Sequence, residues 1–170
     1  MKTPIHHHSS NNLIADPSQF PPAHEQVGDD KTLLVVDDEP ALRELVAKVL
    51  CQEGYNVLQA GGSAEALRLA ATATIHLLIT DFSMPGADGL ELTRRFRTVY
   101  PKVPVLMVSG SMTDLDGRAD DLARFGMLEK PFAIDELVTK VRTLLTEASP
   151  LPVGNPEVRA SKYEYALRQF

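Results

Sequence analysis

Three aspartates, a serine and a lysine stand at the ends of short apolar runs. Leu33-Leu34-Val35-Val36 leads into Asp37-Asp38-Glu39-Pro40, and Leu77-Leu78-Ile79-Thr80 leads into Asp81. Val103 to Val108 ends at Ser109-Gly110, and the short Met127-Leu128-Glu129 ends at Lys130-Pro131-Phe132. Apolar runs this short, alternating with helix-like segments, read as buried parallel strands. In such a sheet functional groups gather at the carboxyl ends of the strands, so these five side chains are expected to converge. Their chemistry is that of a divalent cation and a phosphoryl group. Hard cations that keep several waters, Mg2+ above all, take one or two carboxylates plus phosphate oxygens. Clustered carboxylates repel one another unless such a cation is bound. With it present, Asp81 stays ionised and can attack phosphorus as a nucleophile. Lys130 can supply positive charge to the transferring group, and the Ser109 hydroxyl can bond one of its oxygens.

Each residue alone has a plainer use. Asp37 or Asp38 could cap the helix that begins at Pro40, Asp81 could cap a turn, Ser109 could be a loop serine and Lys130 a solvated charge. One cap does not require Asp-Asp-Glu, and the joint spacing selects the chemical reading.

The elements that must position these groups follow from periodicity. Pro40 suits the first position of a helix whose apolar stripe is Leu42, Leu45, Val46, Val49 and Leu50, closed by Gly54. Tyr55-Asn56-Val57-Leu58 reads as a strand, and Ser63 as the N-cap of a helix carrying Leu67 and Ala70. After Asp81, a loop with Pro85, Gly86 and Gly89 leads to a helix holding Leu90, Leu92 and Phe96. A further helix is expected over residues 114–125, weakened by Gly117, which costs about 1 kcal/mol relative to alanine. The last helix carries Ile134, Leu137, Val138, Val141, Leu144 and Leu145. Five strands alternating with five helices make a doubly wound α/β domain.

Composition bounds the rest. The 170 residues suit one domain plus tails, and a hydrophobic share of 44% is ordinary for a globular protein. No run approaches a membrane span, and the start lacks the apolar core of a signal peptide. The single cysteine, Cys51, excludes an internal disulfide, fits a cytoplasmic location, and reads as a small packing residue late in its helix. A net charge of −6 argues against general nucleic-acid affinity. Residues 1–30, with Pro4, Pro17, Pro21 and Pro22, are expected to form a disordered leader, and His6 to His8 within it read as incidental. The folded domain is expected over residues 31–148. Residues 149–170 open with the linker composition of Pro150, Pro152 and Pro156, after which Tyr163, Ala166, Leu167 and Phe170 have helical spacing.

Val35-Val36-Asp37-Asp38-Glu39, Asp81-Phe82-Ser83-Met84-Pro85-Gly86-Ala87-Asp88-Gly89, Ser109-Gly110 and Lys130-Pro131-Phe132 together resemble the receiver domain of two-component response regulators. The resemblance covers about Lys31 to Thr146. It implies a flavodoxin-like or CheY-like five-stranded parallel sheet of order 2-1-3-4-5. By the match, Asp81 is the phosphoacceptor, Asp37 and Asp38 hold Mg2+ with it, and the Ser83 backbone carbonyl completes the metal shell. Ser109 is the switch hydroxyl, Lys130 contacts the phosphoryl group, and the Lys130-Pro131 bond is cis. Where receivers usually carry Tyr or Phe, three residues before the lysine, this chain has Met127, a flexible side chain that reports weakly on Ser109.

The resemblance implies a phosphoacceptor that catalyses its own phosphorylation and dephosphorylation and is not a conventional enzyme. Its partners would be a histidine kinase or histidine phosphotransfer protein and a downstream protein target, with neither nucleic acid nor membrane. With no DNA-binding pattern visible, a single-domain regulator is expected. A haloacid-dehalogenase-like phosphotransferase would need its nucleophile after the first strand, and a flavodoxin would not set two acids where its phosphate binds. The serious rival is a receiver fold used for docking without phosphorylation.

Overall fold

The three inner strands of the sheet are buried on both sides, because helices cover both of its faces. The computed structural model describes residues 31–84, 89–110 and 125–148. Its strands are β1 (Thr32–Val36), β2 (Asn56–Ala60), β3 (Leu77–Asp81), β4 (Val105–Ser109) and β5 (Gly126–Glu129). They form one parallel sheet in the order β2-β1-β3-β4-β5. The described helices are α1 (Pro40–Gln52), α2 (Ser63–Thr72), α3 (Gly89–Val99) and α4 (Ile134–Glu147). The leader over 1–30, the loop at Pro85 and Gly86, nearly all of the helix expected over 114–125 and the tail over 149–170 lie outside the described residues.

Alternate strand residues feed two cores. Leu33, Val35, Leu77, Ile79, Leu106 and Val108 pack with Val46 and Leu50 of α1 and Leu137, Val141 and Leu145 of α4. Leu34, Val36, Leu78 and Val105 pack with Ala66, Leu67 and Ala70 of α2 and Leu92 and Phe96 of α3. This period-2 division is what a doubly wound sheet demands, and it leaves β1, β3 and β4 no solvated face on which polar residues could alternate, while the edge strands keep Asn56, Gln59 and Glu129 exposed.

Local signals place most boundaries. Pro40 starts α1, and Gly54, with φ 89°, follows its end in the left-handed region that glycine enters freely. The Tyr55 N–H donates to the Leu50 carbonyl at 3.1 Å, which turns the chain toward β2. Several expectations need correction. Tyr55 is buried but precedes β2, and β4 starts at Val105 because Pro104 interrupts the run. Ser63 is the first residue of α2, not its cap; Gly62 caps it, and the buried Ser63 hydroxyl has no hydrogen bond among the described residues. Cys51 is exposed, since the inward stripe of α1 is Val46, Ala47, Val49 and Leu50 and the next position turns away. Leu45 and Ile134, expected in their stripes, are 49% and 53% exposed. Leu45 lies one step off the inward stripe, and Ile134 opens α4 before that helix reaches the sheet. Among the described residues no helix is long and apolar enough to cross a membrane.

Candidate functional site

The sheet order reverses between β1 and β3, where connections leave in opposite directions and a crevice opens at the carboxyl ends. Asp37 and Asp38 follow β1, and Asp81 ends β3, so the crevice is walled by acids on both sides. One carboxylate oxygen from each of Asp37, Asp38 and Asp81 lies within 4.8 Å of the others. Asp37 and Asp81 are buried and Asp38 is exposed, so one acid faces solvent at the mouth of the cluster. Three carboxylate ligands, two after β1 and one at the end of β3, form a hard all-oxygen donor set, which fits Mg2+ better than a softer metal.

Lys130 reaches this cluster from the end of β5. Its Nζ stands 3.2 Å from Asp37 Oδ2 and 3.2 Å from Asp81 Oδ2. Burial by itself would lower the pKa of this ammonium. The hydrogen bond to Asp37 and the charges of Asp37 and Asp81 outweigh that effect, and the net shift is upward. Lys130 is therefore a fixed positive charge between two carboxylates.

Backbone bonds hold these groups in place. The Phe82 N–H donates to the Val108 carbonyl, and the Lys130 N–H to the Ser109 carbonyl, each at 2.7 Å. The ends of β3, β4 and β5 are thus tied together just below the carboxylates. Asp37 serves two purposes: Oδ1 accepts the Glu39 N–H at 2.8 Å, while Oδ2 faces Lys130. Neither Asp37 nor Asp38 caps α1, whose cap residue is Glu39 with no side-chain capping bond; Asp37 instead fixes the turn that leads into the helix while it joins the acid cluster. The Ser83 N–H donates weakly to Asp81 Oδ1 at 3.4 Å.

Asp37, Asp38, Asp81 and Lys130 are brought together as the spacing predicts. Ser109 is buried at the end of β4, one strand over from Asp81, and joins Lys130 through the backbone. The Lys130-Pro131 bond is cis. Met127 is partly buried against Phe82, Leu90 and Met107, together with Phe125. Two further residues shape the site in ways the sequence does not announce. Arg43 donates from Nη1 to the Asp37 carbonyl at 2.6 Å, and its only signal was a basic residue one turn into a helix that follows an acid. Gly89, expected in the loop after Asp81, opens α3 and packs directly on the Asp81 backbone, a steric fit that no residue pattern announces.

Comparison with known proteins agrees with this arrangement. The family profile of the response regulator receiver domain matches residues 33–142. The response regulator MprA of Mycobacterium sp. (strain KMS) is 39% identical over 124 residues, which cover 69% of this chain and 52% of that protein. The chain thus spans about half the length of the curated relatives it matches. The chemotaxis protein CheY4 of Vibrio cholerae superposes with a TM-score of 0.63 at 28% identity, over 67% of this chain and 98% of that one. The response regulator TrrA of Thermotoga maritima, solved in complex with Mg(2+)-BeF, gives 0.61 at 33% identity, again over 67% of this chain and 98% of its own. Sheet order, acid cluster and family match converge: the chain belongs to the response regulator receiver domain family.

Proposed function

We propose that this receiver domain, spanning residues 31–148, accepts a phosphoryl group on Asp81 from a phosphohistidine of a kinase or phosphotransfer protein. The observation that carries the reading is the Lys130 ammonium at 3.2 Å from both Asp37 and Asp81, beside a third carboxylate from Asp38. Asp37, Asp38, Asp81 and the backbone carbonyl of Ser83 would hold Mg2+. When bound, the ion offsets the mutual repulsion of the acids and neutralises charge on the phosphoryl oxygens.

The chain's own groups do the rest. An Asp81 carboxylate oxygen forms the new O–P bond as the P–N bond to the donor imidazole breaks. The electron pair stays on that imidazole nitrogen, which takes its proton from water. Lys130, kept charged by its carboxylate neighbours, is free to follow a phosphoryl oxygen once Asp81 has given up its negative oxygen to the new bond. The Ser109 hydroxyl, one strand away, donates to a second phosphoryl oxygen and so links the phosphate to the segment after β4. The same groups serve hydrolysis, in which water replaces Asp81 on phosphorus. The complex of the Thermotoga relative with Mg(2+)-BeF supports this chemistry by likeness. The chemistry belongs in the cytoplasm, with which a lone cysteine is consistent.

Incubation with acetyl phosphate and Mg2+ tests the assignment. The wild type should gain one phosphoryl group, Asp81→Asn none, and EDTA should abolish labelling of the wild type. Equal labelling of the two proteins would overturn the assignment of Asp81. No labelling of either would favour a docking module working without phosphorylation.

A further inference from the structure

Leu45 and Ile134 are the two large apolar side chains exposed among the described residues, and both line one groove. It runs between α1 and the start of α4, holds about 400 Å3, and is also lined by Leu42, Val49, Lys130 and Pro131. Apolar side chains gathered in this way mark a surface that something covers. We propose that the occupant is this chain's own segment 157–170.

Three observations favour that occupant. The first is pattern: Tyr163, Ala166, Leu167 and Phe170 are spaced i, i+3, i+4 and i+7, which puts four apolar residues on one face of a helix. Helix-in-groove recognition uses this spacing. The second is reach. The groove lies at the amino end of α4, about 20 Å from Glu147 at a rise of about 1.5 Å per residue. The residues from Ala148 to Lys162 can span up to about 50 Å when extended, so the connection is more than long enough. A tether of this kind raises the local concentration of the segment to the order of millimolar, so weak contacts suffice. The third is charge. The exposed charges of α1 and α4 that flank Leu45 and Ile134 lean acidic, with Glu44, Asp135 and Glu136 against Lys48 and Lys140. Segment 157–170 leans basic, with Arg159, Lys162 and Arg168 against Glu157 and Glu164. Lys130 lines the groove and contacts both Asp37 and Asp81, so a segment seated there stands near the carboxylate cluster.

Methyl-resolved NMR of the full chain tests this contact directly. In the wild type, the Leu45 and Ile134 methyl signals should lie upfield through the rings of Tyr163 and Phe170. They should also show cross-relaxation to those rings that does not change on dilution. In the full chain with Leu167→Asp and Phe170→Asp, both signatures should vanish while the amide spectrum of residues 31–148 keeps its dispersion. A synthetic peptide of residues 157–170, added to that variant, should move the same methyl signals back. Identical Leu45 and Ile134 signals in the two chains would overturn the proposal. Signals that return to exposed values on dilution would overturn it too, by assigning the groove to a second copy. The wild-type cross-relaxation needs no variant, so a change in folding of the substituted chain leaves the test intact.

Discussion

Gly89 offers a sharp test of how the backbone positions Asp81. It opens α3, and its N–H donates to the Phe82 carbonyl at 2.8 Å. A Cβ built there would overlap the Asp81 carbonyl oxygen and sit 2.9 Å from the Asp81 carbonyl carbon and 3.1 Å from Phe82 Cα. The tightest contact, with the Asp81 carbonyl oxygen, lies far inside van der Waals separation, so Gly89→Ala must open a gap of about 1 Å or more against backbone, which cannot swing aside as a side chain would. Phe82 is pinned to Val108 at 2.7 Å, so relief must come from moving Asp81 or from lifting α3, through Leu90, off Phe82 and Met107. Overpacking of this kind costs about 1–3 kcal/mol, or about 5–15 °C in Tm for a domain of this size. A displacement near 1 Å at the nucleophile slows a positioned reaction about 100-fold. The assay is the rate of acetyl phosphate labelling, paired with a thermal melt. Gly62→Ala is the control, because its φ of 175° suits any residue and nothing lies within 4 Å of the added carbon. Labelling of Gly89→Ala at the wild-type rate would refute the claim that this glycine sets the position of Asp81.

Three further outcomes follow from the site and the core. Lys130→Met leaves the buried Asp37 and Asp81 facing each other without a cation; it should lower stability by about 2 kcal/mol without added Mg2+ and slow labelling, and an unchanged melt would contradict the contacts. Burial holds the partly buried His76 imidazole below its usual 6.5, and its Nδ1 accepts the Thr32 N–H at 3.0 Å. The unfolded chain therefore takes up this proton first as pH falls, so the His76 contribution is complete above about pH 6.5 and is lost on acidification toward the lower folded value; His76→Asn should flatten denaturant stability between about pH 7 and about pH 5, and equal slopes would count against it. Gly126→Ala brings a carbon to 2.6 Å from Leu144 Cδ1, the end of a partly buried side chain that can turn, so calorimetry should show a loss of about 1 kcal/mol, with a loss several times larger contradicting that freedom.

The sheet was legible because strands buried on both faces read as unbroken apolar runs, and the acids stood out because they end those runs. Periodicity alone did not say how wide a face each helix buries. Leu45 and Ile134 belong to apolar stripes by spacing, yet α1 and α4 contact the sheet over narrower faces and leave both outside. Cys51 was misread for a similar reason, since a small apolar residue late in a helix can point either way. Ser63 looks like a cap by type, but Gly62 already adopts the extended backbone of the cap position. In the site, residue types and strand order announced Asp37, Asp38, Asp81 and Lys130. The second duty of Asp37 at the Glu39 N–H, the Arg43 bond to its carbonyl and the fit of Gly89 depend on atomic spacing that sequence does not carry.

The most direct test of Asp81 as the phosphoacceptor is chemical trapping of the phosphorylated residue. Borohydride reduces an acyl phosphate to the alcohol, releasing phosphate and turning the modified aspartate into homoserine. After acetyl phosphate and Mg2+ treatment, peptide mass spectrometry should find homoserine at position 81, with Asp37 and Asp38 unaltered and no trapped residue when EDTA is present. Homoserine at position 37 or 38, or trapping that is indifferent to EDTA, would contradict the assignment of nucleophile and metal ligands.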